Sequence, residues 1–592
     1  ESMELNTRSD FQRQKEGEVG NDSEESSDNN GGNLKEIDLR NKSNEAFSSS
    51  DKEEVKRPLL QELEYKLSRQ IAASVVASFV TLAYGLTEGY ASPALDSLTS
   101  PMKNQSDYDN QPFDINHHNK LNNTLEYEIG FEWLQENGTD SSKQETAVEN
   151  VNHISLSGYL IELVNYNEAS WIGSLLFAGG FIGSLGSGFM VGLGRKTGML
   201  VGSIPRIVSW FIIAFAKDIN FIYAGRLLGG ISAGLVTVAC PLYISEISLP
   251  KHRGPFISTT MLFQNIGIFI SYTLGKYAQW QYLSLICGVI NLISTIPLLF
   301  VPETPQYLLS KNREDEARKS LEWLRGTRAV TKELEGLKRN QSLHVEQTAV
   351  TWKETLKDMI SARIVLPVLI LVTFMIIQKF SGYYSMLTYM ALFLRKLPLL
   401  LSIQDTAILL SFIQVVSSLI AIWLVDISSK RYMGLVSSCV LSLCFLTLGI
   451  NIYLSEAKYI VLPNYLEWIG FTALLGILVA FSAGLAQLKM MLIGELLPRK
   501  YKKITSAIVG SFLWISLFLS VKLFFKMADG MHMYGVMWFY SAVCGLGILF
   551  SLFCIPETKG EELHDIGGLL AKKLYTLRNP FGTFPQGTSA PT

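Results

Sequence analysis

Apolar residues in this chain gather in runs close to the roughly 20 residues that a helix needs to cross a bilayer. The runs fall at residues 71–94, 168–192, 198–216, 221–244, 257–278 and 281–301, then at 363–394, 405–426, 432–454, 466–494, 503–526 and 534–555. Short polar or charged loops part most of them, and a longer charged segment at 302–361 divides the series six and six. The pattern predicts an all-α membrane protein, with twelve transmembrane helices in two six-helix halves.

The remaining segments read differently. Residues 1–66 are rich in Ser, Asn, Asp, Glu and Gly and poor in aromatics. Such a composition buries too little surface to offset the entropy of ordering and predicts a disordered cytosolic tail. Residues 67–301 form the amino-terminal bundle, with a long exterior loop at 97–166. Residues 302–361 form the linker, where charged amphipathic patches at 314–324 and 332–338 predict short interfacial helices. Residues 362–556 form the second bundle, and 557–592 a cytosolic tail.

Lys and Arg placement sets the orientation. With the amino terminus in the cytosol, Arg195 and Lys196, Lys251 and Arg253, the basic linker, Lys430 and Arg431, the cluster at 499–503, and Lys572 and Lys573 all fall on cytosolic segments. That is the positive-inside pattern, and both termini are expected in the cytosol. No apolar run precedes residue 70, so the first span is expected to direct insertion. The loop at 97–166 then lies outside, and its sequons at Asn104, Asn122 and Asn137 are expected glycosylation sites.

Composition narrows the function. Charged residues make up 18% of the chain, where soluble domains approach about a quarter. A balance of 51 basic to 53 acidic residues leaves no footprint for nucleic acid. The six cysteines sit inside apolar runs with no CxxC pair and read as small packing residues, not a metal site or disulfide frame. Nothing implies a cofactor, and no set of nucleophile, base and metal suggests an enzyme. The implied partners are a small-molecule solute and the lipid bilayer.

Short motifs recur where apolar runs meet charged loops. The first half carries Gly194-Arg195-Lys196, Gly225-Arg226, Pro241-Leu242-Tyr243 with Glu246, Arg253-Gly254, and Pro302-Glu303-Thr304-Pro305. The second carries Asp426 with Lys430-Arg431, Gly494-Glu495 with Pro498, and Pro556-Glu557-Thr558-Lys559-Gly560. Paired signatures in two hydrophobic halves mark an internally duplicated transporter. A carboxylate and a guanidinium at helix ends can form a charge-assisted latch. The expected latches join Glu246 with Arg253 and Arg195, and Glu495 with Arg431 and Lys502. Arg226, Glu303, Asp426 and Glu557 complete the gating candidates.

In that ordered set the chain resembles the sugar porter branch of the major facilitator superfamily, particularly the facilitated trehalose and hexose carriers of insects, over roughly residues 65–570. The resemblance implies facilitated sugar transport by alternating access at the plasma membrane, with Gln264 on the fifth span and Gln378 on the seventh binding the solute. Tyr384 and Tyr389 would shape or cap the cavity. Lys522 matches a lysine common in those relatives and implies nothing further.

The chain departs from the family at telling places. Val191 stands where the family has Asp, Ser429-Lys430-Arg431 where it has Gly-Arg-Arg, and Gln306 where it has Arg. In the seventh-span motif Lys379 replaces a glutamine and Tyr384 an asparagine. On the tenth, Ala486-Gln487-Leu488-Lys489-Met490 replaces Gly-Pro-x-Pro-Trp, removing two hinge prolines. Ionisable residues within spans are costly, so Glu88, Lys379 and Lys489 are candidates for a proton site or charge pair. Glu88 lies one residue beyond the helix-one carboxylate of some proton-coupled relatives, a turn of about 100°, which favours facilitated transport. Two alternatives stay open: a carrier of an anionic or other non-sugar organic solute, and a transport-deficient receptor or sensor.

Overall fold

The computed structural model describes residues 67–99, 153–154, 160–161, 165–348, 362–395, 397, 401–456, 465–496 and 502–555. The sequons at Asn104, Asn122 and Asn137, and Glu557, lie outside them. The architecture is helical, with one antiparallel pair of two-residue strands, His153–Ile154 and Leu160–Ile161.

Span one is Leu67–Gly89 continued by Ala91–Thr99. Spans two and three are Tyr166–Leu193 and Arg195–Ala214, and span four is Ile219–Val236 continued by Ala239–Ile247. Spans five and six are Arg253–Tyr277 and Trp280–Thr295. Three linker helices follow, Pro305–Ser310, Glu314–Arg325 and Thr331–Thr348. Span seven is broken into Ala362–Lys379, Tyr383–Thr388 and Met390–Leu394. Spans eight and nine are Ile403–Ile427 and Lys430–Glu456. Span ten joins Tyr465–Ala480 to Ala486–Leu496 through a π-helical turn, Phe481–Leu485. Spans eleven and twelve form one stretch, Lys502–Phe553, kinked at His532, where φ is 57° and ψ 167°.

Nine stretches among the described residues are apolar and long enough to cross a membrane by composition, the last of them holding spans eleven and twelve. Spans five and seven are absent from that set for physical reasons. Span five carries Arg253, Ser258, Thr259, Thr260, Gln264 and Asn265. Span seven is interrupted at Gly382, a left-handed residue with φ 86° whose added Cβ would lie 2.3 Å from the Tyr540 ring. Polarity and breaks in an otherwise apolar bundle are expected where helices line a cavity.

Large apolar side chains point outward around the bundle, among them Leu185, Phe189, Trp423, Leu443 and Leu546. In water such exposure would be a liability; in lipid it is the favourable surface. Glycine brings the cavity-lining helices close. A Cβ at Gly85 on span one would lie 1.9 Å from the carbonyl oxygen of Gln264, so the two backbones touch beside a candidate site residue.

The end of the bundle carrying the start of span one is called here the near face, and the opposite end the far face. The Pro302-Glu303-Thr304-Pro305 motif organises the near face of the first half. The Glu303 carboxylate accepts hydrogen bonds from the backbone N–H groups of Arg195, Lys196 and Thr197, and so caps the positive N-terminus of span three. Thr304 caps the first linker helix and donates its hydroxyl to Glu246 Oε2 at 2.6 Å. Tyr243 donates to the Pro302 carbonyl. Arg325 anchors the next linker helix, donating to the Ile247 carbonyl and pairing with Glu333.

Candidate functional site

One cavity of about 70 Å³ opens between the halves. Spans one, three, four, five, seven, ten and eleven line it, and its wall includes Arg206, Gln264, Lys379, Tyr384, Lys489 and Trp514. These residues lie in the middle of their spans or toward the near face.

Gln264 donates its amide to Glu88 Oε2 at 2.6 Å, while Glu88 Oε1 is buried with no partner among the described residues. Lys379 is 1% exposed, and its ammonium sits 3.8 Å from the centre of the Tyr384 ring, an arrangement in which the π-face partly compensates the charge. Lys489 is 8% exposed on the same wall. Gln378 is not among the lining residues; its amide donates to the main-chain carbonyl of Leu485 in the π-helical turn. Tyr389 also lies outside the cavity. Its hydroxyl shares its one proton between the carbonyls of Ser170 and Val521, at 3.4 and 3.3 Å, and its ring packs on Phe524 and Phe525 nearer the far face.

The expected latch is only partly assembled as the motifs suggest. Arg195 and Glu246 pair at 2.9 Å, but both belong to the first half, so this pair ties spans three and four together and does not join the halves. Arg253 donates instead to the Ser245 carbonyl. Arg226 is buried in the other part of the half, donating to the carbonyls of Thr87 and Ile172, and is a packing hub away from Glu246. Its position two turns into span four, which runs from the far face, separates it from the near-face motif. Arg431 donates to the Leu552 carbonyl. The side chains of Asp426, Glu495 and Lys502 fall outside the described residues.

Among the described residues, the hydrogen bonds and ion pairs that join the halves run from mid-bundle to the far face. Asn265 bonds Ser418 and accepts from Gln414. Beyond them Tyr272 donates to the Leu387 carbonyl, Ser92 accepts from the Ala391 N–H, and Lys522 donates to Ser170 Oγ at 2.6 Å while lying 3.6 Å over the Trp171 ring. At the far face Asp96 pairs with Arg395, and Lys276 with Asp405 at 2.6 Å. No sequence motif signals these pairs or the bond that Lys522 makes. Arg206 does carry a sequence signal, as a lone arginine amid the apolar run of span three.

Two six-helix halves around a mid-bundle cavity, mostly apolar but studded with charged and amide side chains, have the architecture of a membrane solute carrier. The chain matches the family described as sugar (and other) transporter over residues 112–570 and belongs to that family. It is similar to the facilitated trehalose transporter of Polypedilum vanderplanki, 29% identical over 405 residues covering 68% of this chain and 79% of that protein. The facilitated trehalose transporter of Bombyx mori is 28% identical over 418 residues, covering 70% and 82%. The proton:xylose symporter XylE bound to 6-bromo-6-deoxy-D-glucose superposes with a TM-score of 0.63 at 18% identity, covering 86% of this chain and 100% of that structure. A partially occluded inward-open form of XylE from E. coli gives 0.60 at 16% identity, covering 84% and 100%. At those identities the solved structures speak for the fold. The chain is a carrier of the sugar porter type.

Proposed function

We propose that this protein carries a sugar across the plasma membrane by facilitated transport with alternating access, and that the arrangement described is the one open to the cytosol. The observation that carries the reading is the grading of contacts between the halves among the described residues: hydrogen bonds and ion pairs join them from mid-bundle to the far face, above the cavity. The positive-inside pattern makes the far face exterior. The trehalose transporters among the relatives support a sugar as the solute.

Span ten supports a moving carrier over a transport-deficient relative. The hinge prolines are missing, yet the helix is still broken, by the π-helical turn at Phe481–Leu485. Such turns kink helices.

Purified protein in liposomes tests the reading. Labelled trehalose and glucose are expected to enter saturably, faster when unlabelled sugar fills the lumen, and equally with or without a protonophore. Uptake that collapses with the proton gradient would replace facilitated transport by symport. Impermeant labelling from the two sides, with both termini tagged, checks the orientation.

A further inference from the structure

The described lining of the cavity is rich in basic side chains and holds no acidic one. Arg206 from span three, Lys379 from span seven and Lys489 from span ten share its wall, and no carboxylate is among the lining residues. Glu88 stands behind Gln264 and supplies one negative charge. Among the described residues, with each group in its ordinary ionised form, three cations stand against one carboxylate, at 1%, 1% and 8% exposure for Arg206, Lys379 and Lys489. Snorkelling to headgroups would take the charged ends to the lipid surface; these three are enclosed between helices instead. Charges held at that depth without a partner are expensive.

The arginine is poorly satisfied by the protein itself. Arg206 makes a 3.2 Å hydrogen bond to Ser203 Oγ, and its Nε has no partner among the described residues. A guanidinium is suited to two-point recognition of a carboxylate or a phosphate. The rest of the wall suits a polyol: Gln264, Thr81 and Thr260 present groups for hydroxyls, and Tyr384 and Trp514 present aromatic surface for the apolar face of a ring.

We infer that the cavity takes an anionic sugar, one bearing a carboxylate or a phosphate, with Arg206, Lys379 and Lys489 neutralising the anionic group and Gln264 among the groups that hold its hydroxyls. The inference deepens the carrier reading and rests on it for the transport of that solute, while binding stands by itself.

The test uses the full chain in lipid nanodiscs for calorimetric binding and in liposomes for flux, with glucose, glucuronate and glucose 6-phosphate as probes. At low salt at least one anion is expected to bind tenfold or more tighter than glucose, and to weaken as salt rises. A preference for glucuronate identifies a sugar acid as the solute class; a preference for glucose 6-phosphate identifies a phosphate ester. Arg206→Gln and Lys379→Gln are each expected to weaken the favoured anion at least tenfold and bring the anion-to-glucose ratio toward one, while Arg206→Lys keeps a measurable preference. Glucose binding as tightly as both anions in the parent protein overturns the inference, whether or not a variant folds. So do folded variants that keep the parent's anion affinity. Glucose uptake without any preference for an anion removes the anionic site and leaves the carrier reading intact. Tight anion binding with no flux of any probe keeps the site and removes the carrier reading.

Discussion

Single residues at the near face hold together a junction that the motifs only hinted at. Glu246 accepts from Arg195 and Thr304 at once, and Glu303 caps span three, so two carboxylates fix spans three and four to the linker. Arg195 and Glu246 are largely buried, with side-chain exposures of 16% and 6%. Losing a charge-assisted bond at such a site costs about 2 kcal/mol. Glu246→Gln is therefore expected to lower the unfolding midpoint in detergent, with Glu246→Asp falling in between. An unchanged midpoint would reduce the pair to a surface contact.

Gly382 is the second residue whose chemistry cannot be exchanged. Its φ of 86° is open to glycine, and a methyl there would meet the Tyr540 ring. Strain in the left-handed region and displacement of a buried tyrosine together amount to about 2 kcal/mol or more. Gly382→Ala should lower thermal stability more than Gly510→Ala, since a methyl at Gly510 meets open space.

At the scale of elements, span ten shows a hinge rebuilt without proline. A π-helical turn leaves carbonyls out of the regular ladder, and here side chains from neighbouring spans take them up. Ser417 donates to the Val479 carbonyl, Ser437 to Ala480, and Gln378 to Leu485. Gly484 lets span nine approach, because a Cβ there would lie 2.3 Å from Ser437 Cβ. Gln378, expected from the resemblance to bind solute, instead serves the turn in this arrangement. Gln378→Ala strands a buried carbonyl, at about 1–3 kcal/mol. The expected result is a stability loss with the solute dissociation constant changed less than threefold. A tenfold loss of affinity at unchanged stability would return Gln378 to the binding site.

The whole molecule balances on weaker bonds. The far-face pairs Asp96–Arg395 and Lys276–Asp405 are partly exposed, at 16% and 33% for the first and 30% and 42% for the second. Exposed pairs of this kind are individually weak, because solvent screens them. Removing both, with Asp96→Asn and Asp405→Asn, should shift the balance between arrangements measurably but modestly, since such exposed pairs are weak. A cysteine placed at Leu517 in the cavity of a cysteine-free background reports the shift: labelling from outside should rise and labelling from the cytosolic side fall. Equal labelling in the two backgrounds would show that these pairs do not hold the far face closed.

The sequence by itself determined the spans and the family. Twelve apolar runs, the repeated charged signatures and the sugar porter resemblance need no tertiary information, because bilayer thickness and backbone hydrogen bonding act on each segment locally. Lys379 and Lys489 were legible for the same reason, as charges inside apolar runs. Partners were not legible. That Glu88 meets Gln264, that Arg206 faces the cavity, that Arg226 serves packing, and that Gln378 holds a π-helical turn depend on which helix faces meet across the bundle. Those pairings join residues far apart in the chain, and close helix approach at glycines such as Gly85 sets them. The far-face pairs were equally hidden, because each charge sits at a helix end where solvent alone would account for it. Only the packing of one half against the other brings those exposed charges into pairs.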